Sequence, residues 1–275
     1  MHRRLIVALI AVALLFAAAD LALWHRAHEL KDLQSRWDAL AATVSVDPPR
    51  FRPEMVASLP APARRYLARA IASGTPLRST VRLEIAGQIA ARPGGRWYPF
   101  SADEILVPGR GYVWRARMHG APLAYGRTET YLDGAGRRSV TLLGVLPWRR
   151  RHGADASAVN RALLALQSIW DPASLLPFRG VQWKAADPGR AVAILDIDGR
   201  AIPLTLEISP RGELRSASVR CPRRGVPDAR FALHVDEQMR ADGYRIPRRV
   251  TAAWRTGRGL YQPVGRQLIL AIEYR

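Results

Sequence analysis

The chain has one cysteine, Cys221, in 275 residues. An intrachain disulfide is therefore excluded, and the redox compartment is not legible from cysteine usage. Lysine is almost as scarce: Lys31 and Lys184 are the only two among 42 basic residues. Acids are outnumbered too, with 23 Asp and Glu against those 42, which leaves a formal charge of +19. None of the six histidines is paired at helical metal-binding spacing within the domain and no His-Glu-x-x-His occurs, so neither a metal nor a cofactor is expected. A Gly-x-Ser-x-Gly elbow and a phosphate-binding loop are also absent. Gly134-Ala135-Gly136 follows Asp133 and reads as a hairpin end, not as the start of a dinucleotide-binding helix. Asp196 and Asp198 share a strand face ahead of Gly199, where solvated turn acids are the simpler reading. No nucleophile or acid–base constellation assembles, so no catalytic residue is assigned and the chain is not read as an enzyme.

The charge invites a nucleic-acid reading, but its distribution argues against one. Arginines run from Arg3 to Arg275, with one triplet, Arg149-Arg150-Arg151, and pairs such as Arg223-Arg224 spread along the chain. A nucleic-acid binder concentrates its charge on one element or motif, and no such motif is present. An anionic lipid surface asks for less, since each basic group near it gains ~1 kcal/mol. Membrane lipid is therefore the expected partner, and nucleic acid is not.

What the chain has in plenty is apolar sequence at its start. Met1-His2-Arg3-Arg4 precedes Leu5 to Ala19, a run without one polar side chain, and Asp20 separates it from Leu21-Ala22-Leu23-Trp24. A bilayer core of ~30 Å needs ~20 such residues in a helix, and a tryptophan suits its interface. Ala17-Ala18-Ala19 also fits a signal-peptidase site, with cleavage after Ala19. The stretch beyond Trp24 favours retention. Residues 25–45 carry no Gly and read as a helical stalk on which Leu30, Leu33, Trp37 and Leu40 form a heptad-like seam suited to self-association. The expected organisation is an anchor over 1–24, this stalk over 25–45, a Pro-punctuated linker over 46–58 and one domain over 59–275. The short basic head resembles a signal-anchor. It predicts a single-pass protein of the inner (cytoplasmic) membrane with its C-terminal domain on the periplasmic, extracytoplasmic side.

Within the domain, Leu59 to Gly74 reads as a short leading helix whose buried stripe is Tyr66, Leu67, Ala70 and Ile71. The period then changes to two. Val81, Leu83 and Ile85 alternate with Arg82 and Glu84, and Tyr112, Trp114, Ala116 and Met118 with Val113, Arg115 and Arg117. Ile202, Leu204, Leu206 and Ile208 alternate with Pro203, Thr205 and Glu207, Phe231, Leu233 and Val235 with Arg230 and His234, and Leu268, Leu270, Ile272 and Tyr274 close the chain. Such one-faced strands imply an antiparallel sheet covered on one side. Turn chemistry at Asp133-Gly134, Asp198-Gly199 and Asp242-Gly243 spaces them as hairpins, roughly ten strands in all. One helix interrupts them, with Asp155 or Ser157 as its cap, Val159, Ala162, Leu163, Leu166 and Ile169 as its stripe, and Asp171-Pro172 as its stop. The predicted class is mainly β (α+β): a curled antiparallel sheet or half-barrel with one inserted and one leading helix. An incompletely closed barrel of this kind leaves a groove for an apolar ligand.

Several runs then resemble a bacterial family of uncharacterised function: Leu59-Pro60, Arg64-Arg65-Tyr66-Leu67, Gly87, Trp97-Tyr98-Pro99-Phe100-Ser101-Ala102 and Trp114. So do Tyr131 through Gly136 and Arg161 through Pro177. The resemblance spans about residues 55 to 275 by these motifs. Where that family's inserted helix carries a glutamate three residues before the tryptophan, this chain has Gln167. The topology is similar to the half-barrel of the Lol-type lipoprotein carriers, a likeness of fold that implies no function by itself.

Trp114, Trp170, Leu163 and Leu166 are the candidate ligand-binding residues, because bulky indoles beside a helix stripe suit a cavity wall. Trp148, Arg149, Arg150 and Arg151 are the candidate headgroup contact: planar guanidinium groups bind phosphate and an indole suits the interface. The leading expectation is a membrane-anchored extracytoplasmic β-domain that binds a lipid or other apolar ligand. An envelope scaffold without a small ligand is the alternative. An enzyme comes third, and would need a buried cluster of acids facing a pocket.

Overall fold

The computed structural model describes residues 2–90, 92–120, 125–144, 146–223, 225–226, 228–255 and 261–275. Helix α1 (His2–Ala41) runs unbroken through the apolar run and the stalk. Its span Leu9–Ala41 is the one helix among the described residues long and apolar enough to cross a membrane. Helix α2 (Ala61–Ala70) starts after Pro60 and carries Pro62 in its first turn, where a missing N–H leaves no bond unmade. It buries Ala63, Tyr66, Leu67 and Ala70, and Ile71 follows them into the core.

Thirteen strands then form one sheet in two meanders. The first comprises β1 (Val81–Ala90), β2 (Trp97–Val107), β3 (Gly111–Met118), β4 (Tyr125–Leu132), β5 (Ala135–Leu142) and β6 (Leu146–Arg151). After helix α3 (Ala154–Gln167) come β7 (Gln182–Asp187), β8 (Arg190–Ile197), β9 (Arg200–Ile208), β10 (Leu214–Arg220), β11 (Arg230–Ala241), β12 (Tyr244–Arg255) and β13 (Tyr261–Tyr274). The order across the sheet is β6-β5-β4-β3-β2-β1-β13-β12-β11-β10-β9-β8-β7, so β1 and β13 join the meanders. Every named neighbouring pair is antiparallel. The strands beyond the expected ten include β6 and β7, whose largely exposed residues give no one-faced apolar alternation.

The sheet curls around α3. That helix packs against β4 and β5 near one end of the order and against β8, β9 and β10 near the other. Ten strand spacings separate β5 from β8, which is ~48 Å in a flat sheet, whereas a helix with its side chains is ~10–12 Å wide. Only a strongly curved sheet meets one helix from both ends. The ends also touch directly, since the Tyr131 hydroxyl on β4 donates to Asp198 in the β8–β9 turn and accepts from Arg161 Nε at 2.8 Å. Asp198 is thus a latch between the two ends, while Asp196 is exposed.

Local chemistry seats α3. The buried Asn160 donates from Nδ2 to Thr130 O at 2.8 Å and to Arg137 O at 3.0 Å, which ties the helix to β4 and β5. Gly136 leaves room for this approach: a Cβ there would stand 2.6 Å from Ser157 Cα. Neither expected cap serves the helix start. Gly153 takes the N-cap position without a side-chain bond, and Ser157 Oγ accepts the Gly136 N–H instead. The buried face is wider than the expected stripe, because Leu164 and Ala165 are also covered by a sheet that wraps the helix.

Three further expectations are corrected. Leu33, Trp37 and Leu40 do not form a free seam: they lie on the outer face of the chain's own sheet, against Ile105, Val107, Val113 and Leu132. A three-four spacing suits a helix laid on a sheet as well as a coiled coil; of the seam only Leu30 is largely exposed. Polar contacts fix this docking, with Arg115 stacked 4.1 Å over the Trp37 ring, Asp32 paired to Arg137 at 2.7 Å and Arg110 donating to Ala39 O. The stretch expected as a linker is built into the core. Phe51 and Val56 are fully buried, and Phe51 exchanges backbone bonds with Thr75 and Gly74. On β13, Leu270 points outward and Ile269 inward, because a register shift opposite Glu84 and Ile85 skips one residue.

Candidate functional site

Directly opposed residues of antiparallel strands share a face. Register therefore places Leu83, Glu104, Trp114, Glu129, Arg138 and Arg151 in one row across β1 to β6. The row lies on the inner face, the one α3 covers. Two residues along each strand, on the same face, stand Tyr112 beside Trp114 and Arg127 beside Glu129.

Between this face and α3 lies a cavity of about 430 Å³, within the ~300–1,000 Å³ common for small-ligand sites. All four candidate ligand residues line it: Trp114, Trp170, Leu163 and Leu166. Phe100, Val159, Phe231, Leu233, Ala252 and Trp254 add to the apolar wall. The aromatic rings are fixed by one another, Phe100 edge-on to Trp114 at 5.7 Å and Phe231 tilted on Trp254 at 4.9 Å. Trp170 is anchored at both polar ends: its indole N–H donates to Pro247 O at 3.1 Å, and its carbonyl accepts from the Tyr274 hydroxyl at 2.7 Å.

The closed part of the cavity carries a buried polar group that periodicity alone did not single out. Glu129 is gripped by Arg127 and by Arg138, the latter at 2.7 Å. Burial by itself would raise its pKa, but the two guanidinium groups outweigh burial and hold the carboxylate at about 2. Glu104 has the opposite fate. Burial, aided by the negative charge of Glu129, pushes its carboxyl up to about 8. Its partner is Gln167 on α3, whose Nε2 donates to Glu104 Oε1. An amide beside a neutral acid needs no counter-charge, which suits Gln167 to this place. Burial likewise pushes the Cys221 thiol up to about 12, so it sits in the lining as an unreactive thiol. The signal for this group was present in the sequence: acids occupy inward positions of β2 (Phe100, Ala102, Glu104, Leu106) and β4 (Arg127, Glu129, Tyr131), where the pattern asks for apolar residues.

Two buried acids facing a cavity are the feature an enzyme would need. A carboxyl near neutrality has the range of a general acid–base group. Among the described residues, however, no group of three or more His, Cys, Asp or Glu is placed to hold a metal.

Trp148, Arg149, Arg150 and Arg151 lie on the exposed edge strand β6. The structure does not bring Trp148, Arg149 or Arg150 to the cavity; Arg151 alone reaches its lining. Arg150 pairs with Glu29 of α1 at 3.5 Å, and a second, open groove of about 830 Å³ runs between α1 and β4–β6. Leu143, Leu146 and Trp148 expose large apolar surfaces around the same hairpin. Helix α1 thus crosses the outer face from β2 and leaves the sheet past β6. The five residues from Glu29 back to Trp24 advance only ~7–8 Å along its axis.

Fold and cavity together define an antiparallel half-barrel with a helix-roofed internal cavity. The chain belongs to the family of unknown function DUF6544, which matches residues 49–264. No curated protein matches it. Among solved structures, a LolA-superfamily protein from Nitrosomonas europaea is similar at 9% identity and a TM-score of 0.42, over 78% of this chain and 92% of that one. A DUF1329 family protein from Desulfovibrio piger is similar at 13% identity and a TM-score of 0.35, over 72% of this chain and 86% of that one.

Proposed function

We propose that this chain is a membrane-anchored, extracytoplasmic domain that binds a lipid or other apolar ligand beneath α3. The observation that carries the reading is the cavity itself: about 430 Å³ walled by Trp114, Trp170, Leu163 and Leu166 beside the apolar core. The apolar part of α1 is the anchor, spanning the inner membrane once. With Trp24 at the interface, β6 falls within the headgroup layer, where Trp148, Arg149, Arg150 and Arg151 meet anionic lipid.

The test is mass spectrometry of lipids extracted from the purified full chain, compared with Val159→Trp, which fills the cavity from a half-buried position on α3. Enrichment of an alkyl-chain lipid on the parent and its loss from V159W is the expected result. Equal lipid content in the two would overturn the reading. Glu104 supports a second reading, acid–base chemistry on a bound substrate. In that case Glu104→Gln would retain the ligand in the cavity and prevent its conversion.

A further inference from the structure

The proposed ligand cavity has a distribution of charge that its apolar wall does not require. Five arginines line it, Arg92, Arg127, Arg138, Arg151 and Arg223, against two acids, Glu104 and Glu129. They divide by depth. Arg127 and Arg138 are committed to Glu129 at the closed end. The other acid there, Glu104, is 2% exposed and faces Gln167, so it offers no charge to the remaining three.

Arg92 and Arg151 are exposed and Arg223 is half-buried, so these three mark the open end. They come from three separate places in the fold: the β1–β2 loop, the end of edge strand β6 and the β10–β11 loop. None of them forms an ion pair among the described residues, although fourteen such pairs occur elsewhere. Arg223 is held by a ring instead, 4.9 Å over Trp254 of the cavity wall. The cavity therefore has an apolar middle, a floor where two guanidinium groups share one carboxylate, and a rim of three cations.

We infer that the cavity takes a single-chain anionic amphiphile, its alkyl tail against Trp114 and Trp170 and its carboxylate or phosphate head on Arg92, Arg151 and Arg223. This rests on the reading of the cavity as a ligand site and names the class of ligand. A volume near the low end of the usual range suits one chain. Guanidinium groups favour planar oxyanions because two parallel N–H bonds match two oxygens. Arg151 also lines the groove beside α1, so the cavity mouth opens towards the headgroup layer and the amphiphile enters from the chain's own membrane.

The experiment uses the full chain in nonionic detergent with Trp24→Phe and Trp148→Phe, which remove the two most exposed indoles. Quenching of the remaining tryptophans is titrated with 9,10-dibromostearate and with its uncharged methyl ester. Charge-assisted hydrogen bonds at ~1.5–3 kcal/mol make the acid bind at least about tenfold more tightly than the ester. Arg92→Gln/Arg151→Gln/Arg223→Gln, all at solvent-accessible positions, brings the acid down to the level of the ester. Competition by stearoyl lysophosphatidate, and none by inorganic phosphate, supports an amphiphile with either head. Displacement by inorganic phosphate alone would overturn the inference, since the rim would then take a free anion. Equal quenching by acid and ester, unchanged in the triple variant, would overturn head recognition and leave the apolar cavity standing. No quenching by either would remove the cavity reading and the inference with it.

Discussion

Glu104→Gln isolates the energetic consequence of burying an acid at the cavity floor. The folded-state pKa of Glu104, about 8, lies above the ordinary 4.5, so between those values the folded chain keeps a proton that the unfolded chain releases. Its contribution to stability is complete below about pH 4.5 and is lost as pH rises towards 8. Each pH step costs ~1.4 kcal/mol, so moving from pH 5 to pH 7 removes about 2–3 kcal/mol. At ~2–4 °C per kcal/mol for a domain of this size, that is a fall in Tm of ~5–10 °C. The glutamine is neutral throughout and keeps an oxygen for Gln167, so E104Q removes this part of the slope. Thermal melts of both proteins in one detergent, at constant ionic strength from pH 5 to 8, read the difference directly. Asp171, pushed up to about 7 by burial, adds a slope of the same sign to both curves and cancels in the comparison. Glu129 titrates near 2, below the window. Parallel Tm curves for wild type and E104Q would refute the assignment of Glu104 as a neutral buried acid.

Other perturbations separate the remaining elements. Glu129→Gln leaves Arg127 and Arg138 without their carboxylate and lowers stability by on the order of 3 kcal/mol in urea unfolding; it also removes a charge that helps keep Glu104 neutral, so the pH slope moves to lower pH. Gly136→Ala drives a Cβ into Ser157 at the start of α3 and costs ~1–3 kcal/mol, visible as a lower Tm. Leu40→Ala costs ~2–5 kcal/mol of α1 docking. Hydrogen exchange should then rise at Ile105 and Val113 and stay unchanged at Leu204 and Leu206, whereas a uniform rise would contradict local docking.

Legibility in the sequence follows the reach of each signal. Strand periodicity identified the inner face of β3 from Tyr112 to Met118, and stop chemistry at Asp171-Pro172 bounded the inserted helical segment. These are local properties, set by side-chain alternation and by proline. Strands β6 and β7 were hidden because edge strands need no apolar face. The docking of Leu33 and Leu40 was hidden for a different reason: a helix stripe does not reveal whether its partner is another helix or a sheet. In the site, Trp114, Trp170, Leu163 and Leu166 were legible as bulky apolar residues on inward positions. Glu104 and Glu129 were legible only as acids at inward positions; that they meet each other, Arg127 and Arg138 was not, because cross-strand register brings these residues together and register is a long-range property. The acids look like interruptions of a pattern until Gln167 and the two arginines are seen beside them.

The measurement that tests the central claim most directly is photo-crosslinking of the full chain in membranes with an alkyl lipid bearing a diazirine on its chain, followed by peptide mapping. A ligand held beneath α3 places the label on the peptides carrying Val159, Leu163 and Leu166 and on those carrying Trp114 and Trp254, and V159W removes it. Label confined to residues 5–24 of α1, the part proposed as the anchor, would contradict the account.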